Sequence, residues 1–168
     1  MTEEGLIHGC LKHDHAAQRE LYLQYFNKTM YVCVRYSQSP QEAKAILLDA
    51  FKNIFNGFKK YAELNSKRKK DSPPVTLDEW IKNETIASAV QHMRNNKKVH
   101  FVSSTISMRD SERQAAQELS DEEIMKTVDK QMIIKGLQQL TPSYRTIYNL
   151  HEVEGLSHPE ISKLLDIS

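Results

Sequence analysis

The sequence predicts an all-α protein of two small helical domains joined by a flexible linker, and three observations carry that prediction. Apolar residues recur at helical spacing with almost no strand-like alternation. Five Gly and five Pro in 168 residues are too few for a loop-rich fold. From about residue 99 to 120 no sustained apolar face can be traced, which divides the chain into domains over 1–98 and 121–168.

The first domain opens with two helices over roughly residues 5–36. Ala17, Leu21 and Tyr25, with Tyr22 and Phe26 beside them, form an apolar face that Met30, Cys33 and Val34 continue. Ser37-Gln38-Ser39-Pro40 breaks the pattern, and Ser39 is placed to cap the next helix. That helix carries the clearest period in the chain: Ala43, Ile46, Leu47, Ala50, Phe51, Ile54, Phe55 and Phe58 over four turns, the pattern of a core helix. Ala45, Asp49, Lys52 and Asn56 point the other way, with Leu48 near the border. Apolar residues on or beside an outward face suit a contact surface, although single exposed apolar residues are common.

From Tyr61 to Thr76 the pattern dissolves into Lys67-Arg68-Lys69-Lys70-Asp71-Ser72-Pro73-Pro74, charged and then helix-breaking. A basic loop between helices can hold phosphate, and a solvated loop fits the same residues. Leu77 to Asn96 is helical again. Trp80, Ile81, Ile86, Ala89, Val90 and Met93 are its apolar members, and Lys82, His92 and Arg94 its polar ones. The lone tryptophan suits a core anchor.

In the second domain, Ser120 and Glu123 form a capping box that starts a helix to about Leu140. Thr141-Pro142-Ser143 ends it, and Tyr144 to about Glu154 forms the next, with Ile147, Tyr148 and His151 along one side. Gly155 supplies the stop. Ser157 then caps a short helix, with Glu160 completing a second capping box and Pro159 tolerated in the first turn. Ile161, Leu164 and Leu165 are its apolar stripe, and Leu165-Asp166-Ile167 its closing turn. Ser168 reads as the N-cap of a further helix, so the natural chain is expected to continue and the domain to be incomplete. This is the supporting half of a helix–turn–helix, whose second helix would enter the major groove.

Composition excludes several classes. No apolar run approaches the ~18 residues of a membrane span. Met1-Thr2-Glu3-Glu4 lacks the basic start of a secretory signal, and Cys10 and Cys33 do not make a disulfide framework. A cytoplasmic setting is expected. The net charge of +1 hides an asymmetry. Residues 1–98 hold 16 Lys and Arg against 11 Asp and Glu, and residues 99–168 hold 7 against 11. The basic half suits a polyanion partner, and equally a solvated surface.

Neither metal nor cofactor is expected. His8, Cys10, His13 and His15 lie close in sequence, but zinc needs four tetrahedral ligands, and donors on one helix start cannot all converge. No enzyme is expected either: there is no phosphate-binding glycine loop, nucleophile elbow or evident carboxylate pair. Asp121-Glu122-Glu123 reads as the acidic first turn of a helix.

Leu140-Thr141-Pro142-Ser143-Tyr144-Arg145-Thr146-Ile147-Tyr148-Asn149-Leu150, followed by Glu154-Gly155-Leu156-Ser157-His158-Pro159-Glu160-Ile161-Ser162-Lys163-Leu164-Leu165, resembles region 4 of bacterial sigma factors. The earlier helices resemble region 2 in the same order, with Ala43–Phe55 as its most amphipathic helix and Trp80-Ile81 with Arg94-Asn95-Asn96-Lys97-Lys98 as the promoter-melting helix. Two such domains with none between them resemble the extracytoplasmic-function (ECF) type. The resemblance implies an alternative sigma factor that binds core RNA polymerase, through its β′ clamp helices and β flap, and promoter DNA, under the control of an anti-sigma factor.

By the same resemblance, Ala45, Leu48, Asp49 and Lys52 would face polymerase, although the family commonly has Asp and Gln where Ala45 and Leu48 stand. Trp80, Lys82, His92, Arg94, Lys97 and Lys98 would contact the −10 strand. Ala87 and Gln91 replace a usual Asn and Asp, and Glu84 a usual apolar residue. Tyr144, Arg145 and Ser168 would support region 4 on DNA. The alternative these departures favour is a degenerate sigma-like interaction module that mainly binds an anti-sigma protein or other partner.

Overall fold

A computed structural model describes residues 1–67, 73–95 and 130–167. Regular structure among these residues is helical throughout. The basic run Arg68–Lys70, Lys97 and Lys98, the expected linker over 99–120, the capping box at Ser120 and Ser168 lie outside them.

Local capping chemistry sets most boundaries. Helix α1 (Glu3–Leu11) starts where the Thr2 hydroxyl accepts from the Gly5 N–H at 3.2 Å. The Asp14 carboxylate accepts from the Ala16 N–H at 2.7 Å to start α2 (His15–Tyr36). Ser39 caps α3 (Pro40–Ser66), as its sequence position predicts. Its hydroxyl accepts from the Glu42 N–H at 3.2 Å, while the Glu42 carboxylate reaches back to the Gln38 N–H at 2.7 Å. Before α4 (Leu77–Asn95), Val75 is pinned to α3: its N–H donates to Asn65 Oδ1 at 3.1 Å, and its carbonyl accepts from Asn65 Nδ2 at 3.1 Å and Tyr61 at 3.2 Å.

The apolar stripe of α3 is the buried face of the first domain, with Ala43, Ile46, Leu47, Ala50, Phe51, Ile54 and Phe58 all in the core. Trp80 of α4 closes that core, with ring centroids 5.1 Å from Phe58 and 5.0 Å from Tyr61. Gly57 lets the indole in, since a β-carbon there would stand 3.0 Å from Trp80 Cζ2. At the other end, α1 crosses α2 so closely that a β-carbon on Gly9 would meet that of Ala17 at 2.4 Å.

The second set comprises α5 (Lys130–Gln139), α6 (Pro142–Tyr148), a π-helical turn over Asn149–Val153, and α7 (His158–Leu165). Pro142 sits in the first turn of α6, where its missing N–H costs nothing. Gly155 adopts φ 74°, the left-handed conformation a stop requires. The Ser157 N–H and hydroxyl both donate to the Glu160 carboxylate, at 2.8 and 2.6 Å, which holds the Glu160 pKa below its usual value. Asp166 ends α7 in the left-handed region at φ 56°, within the turn read from the sequence. Leu150, Ile161 and Leu165 join the same apolar cluster as the first-domain core, and α5 and α6 rest on α2.

Candidate functional site

The outward face of α3 is open. Leu48 is 68% exposed, Asp49 and Lys52 are exposed, and Ala45 is half-buried between them. The His92 imidazole of α4 lies beside this face, 3.8 Å from Glu42 Oε1 and 3.8 Å from Asp49 Oδ2. The imidazole thus lies between a carboxylate at the start of α3 and the acidic residue of its outward face.

The polar residues of α4 do not converge. His92 turns toward α3, while Arg94 lines an open groove with Leu156, Glu160 and Lys163. Lys82 meets the second helical set, its Nζ 2.6 Å from Glu154 Oε2. Glu84 lies 3.7 Å from Lys60, and the exposed Gln91 donates to Asn95 at 2.8 Å. Trp80 is 3% exposed, so no face of its ring is open to a base. The tryptophan of α4 is thus a core residue in this structure, which is where its reading as a core anchor puts it.

The polar chemistry concentrates where α2 meets the second set. Arg35 and Glu154 form an ion pair at 2.9 Å with both side chains only 6% exposed. Arg35 also donates to Asn149 Oδ1 at 3.2 Å, and Asn149 Nδ2 returns a bond to the Arg35 carbonyl at 3.0 Å. The guanidinium lies 5.5 Å from the Tyr31 ring centroid and 5.9 Å from that of Tyr36. Burial beside the Glu154 charge raises the Tyr36 pKa well above its ordinary value. Thr146 donates its hydroxyl to Met93 of α4 at 2.9 Å.

Arg145 is 1% exposed and acts as an internal staple. Its guanidinium donates to the carbonyls of Leu137 at 2.9 Å, Leu140 at 2.7 Å, Gln138 at 3.4 Å and Tyr36 at 3.3 Å. It thus caps the end of α5 and ties it to α2. Its part is packing and backbone contact, and burial lowers its pKa from the ordinary value. Tyr144 next to it is 48% exposed. Arg35, Asn149 and Glu154 were absent from the sequence-derived site. The only cue was polar residues at positions that helical spacing puts on buried stripes, as Arg35 stands three after Val32.

The last two helices, the left-handed stop at Gly155 and the capped α7 have the geometry of a helix–turn–helix support. Residues 130–168 match the family model of sigma-70, region 4. No curated protein matches the chain. The region 4 segment includes Arg145, Asn149 and Glu154, so the residues that hold it against α2 belong to the matched stretch. Sigma-70 region 4 is a DNA-binding segment of the transcription-initiation machinery, without catalytic chemistry of its own.

Proposed function

We propose that the chain is an alternative sigma factor of the ECF type, which binds bacterial core RNA polymerase in the cytoplasm and directs it to promoters. The observation that carries this reading is the region 4 match over 130–168. The open α3 face supports it: Ala45, Leu48, Asp49 and Lys52 offer a docking surface for the β′ clamp helices, with Asp49 its acidic member. Region 4 would meet the β flap, with Tyr144 exposed toward a partner.

Promoter opening in this reading is stoichiometric. A base drawn out of the stack costs a few kcal/mol, recovered through phosphate contacts and the bases' new surroundings. Lys82, His92 and Arg94 on α4, with Lys97 and Lys98 following them, are the cations for that work. An anti-sigma protein would act by covering the α3 face. A degenerate interaction module is the second reading, favoured by the exposed Leu48 where the family commonly carries a polar residue.

In vitro transcription on fragmented bacterial genomic DNA, with sequencing of RNA 5′ ends, tests the proposal. The sigma reading expects a discrete set of starts that core polymerase alone does not make. An unchanged start profile would remove it and leave the interaction module.

A further inference from the structure

We propose that the cavity between α2 and α4 is a binding site for a small uncharged molecule, one or two rings bearing a single hydrogen-bonding oxygen. It lies within the first helical set and shares only Lys82, at its rim, with the residues proposed for the promoter strand.

The cavity holds about 420 Å³. Small-molecule sites span roughly 300–1,000 Å³, and an apolar cavity of about 150 Å³ already takes benzene. Two fused rings therefore fit. Tyr25, Thr29 and Val32 of α2 face Ile81 and Thr85 of α4 across it, and all five are buried residues. A ring suits walls of this kind, whereas a formal charge brought among them would lose its water.

The rim does not select an ion either. Lys28 and Asp78 pair across it from α2 to α4, Nζ to Oδ1 at 2.6 Å, with the ammonium 5.5 Å from the Tyr25 ring centroid. Glu79 and Lys82 complete the rim, so two cations stand against two carboxylates.

The two threonines of the walls differ, and that difference calls for the oxygen. Thr85 turns its hydroxyl back to the Ile81 carbonyl at 2.7 Å, a common bond for a threonine inside a helix. Thr29, 2% exposed, makes no such bond, and its hydroxyl has no hydrogen-bond partner among the described residues. Buried hydroxyls are paired in the large majority of cases. A helical threonine keeps two rotamers, so the Thr29 hydroxyl can turn to an oxygen held in the cavity. A molecule seated there bridges α2 to the first turn of α4. Its consequence for the promoter strand rests on the proposed function, and its binding does not.

Titration of the 15N-labelled full chain with 2-naphthol tests the site, beside 2-naphthoate as an anion and 2-naphthylmethylammonium as a cation of similar shape. Naphthol should bind saturably at about 1 mM or below, the range open to a ligand of its size. The amides of Tyr25, Thr29, Ile81 and Thr85 should shift most. Both ions should bind at least about tenfold more weakly. Val32→Phe, which puts a ring into the cavity, should abolish binding. Should that variant lose helicity by circular dichroism, Thr29→Val answers the same question, because it keeps the side-chain shape and removes only the hydroxyl. It should weaken naphthol about three- to tenfold, the factor of one hydrogen bond.

Naphthol that does not saturate, shifts centred away from these four amides, ions that bind as well as naphthol, or a folded Thr29→Val that binds like the parent would each overturn the site. So would shifts at these amides from a single-stranded oligonucleotide and not from naphthol, since the cavity would then belong to the strand-contacting surface. Polymerase enters none of these readouts, so a chain that binds naphthol and fails to bind polymerase would count against the proposed function alone.

Discussion

Arg35 and Asn149 exchange hydrogen bonds across the two helical sets: guanidinium to amide oxygen at 3.2 Å, and amide nitrogen to the Arg35 carbonyl at 3.0 Å. Asn149 also donates to the Arg145 carbonyl at 2.9 Å and is fully buried. One small amide therefore satisfies a helix end, a charge and a neighbouring backbone.

Asn149→Ala strands the Arg35 carbonyl and one guanidinium nitrogen away from water. Leaving buried polar groups unpaired costs about 1–3 kcal/mol. Urea unfolding should show a loss of that size at unchanged slope, whereas an exposed change such as Asn56→Ala should cost under about 0.5 kcal/mol. Equal midpoints for the two variants would contradict the network.

Arg145→Lys should fail as a conservative change. A single ammonium cannot reach the four carbonyls that the planar guanidinium serves. A loss of about 2–3 kcal/mol is expected by analogy with other broken buried networks, read as a fall in thermal midpoint. Parent-like melting would mean that Arg145 contributes no more than its aliphatic stem.

The glycines separate by what surrounds them. Gly9→Ala forces a β-carbon to within 2.4 Å of that of Ala17, an overpacking that costs about 1–3 kcal/mol. Gly136 of α5 has nothing within 4 Å of where a β-carbon would stand. Gly136→Ala should therefore stabilise by about 0.5–1 kcal/mol through helix propensity. Chemical denaturation of both variants checks the opposite signs.

Burial pushes the Cys10 thiol to about 11 and the Cys33 thiol to about 12, from an ordinary value near 9. Tyr25, buried and close to Asp78, rises to about 12 from 10. The folded chain therefore keeps these protons where the unfolded chain releases them. Stability should be unaffected by these groups below about pH 9 and should fall as pH climbs from there toward 12. Both thiols should also react slowly with a disulfide reagent at pH 8 until denaturant is added. Melts recorded from pH 7 to 11, paired with thiol titration, check both signs.

Much of the helical plan was legible because its punctuation is local. Ser39, Pro142, Gly155 and the Ser157–Glu160 box each act within a turn of their own position, and each does so here. The α3 stripe was legible because one long period fixes which face is buried. What the sequence withheld is non-local. Nothing within a turn of Arg35 reveals that its partner stands 119 positions later at Glu154. The burial of Trp80 depends on Gly57, whose missing side chain makes room for the indole from another helix, so local spacing does not reveal it. Of the candidate site, the α3 face could be drawn from helical spacing, while the engagement of Lys82 could not.

The most direct measurement is binding of the fluorescently labelled chain to purified bacterial core RNA polymerase, beside an Asp49→Lys variant of equal helicity. The sigma reading predicts saturable binding by the parent and a loss of at least about tenfold in the variant, the size of a reversed charge at a docking face. A folded parent that does not bind, or a variant that binds as well as the parent, would contradict it.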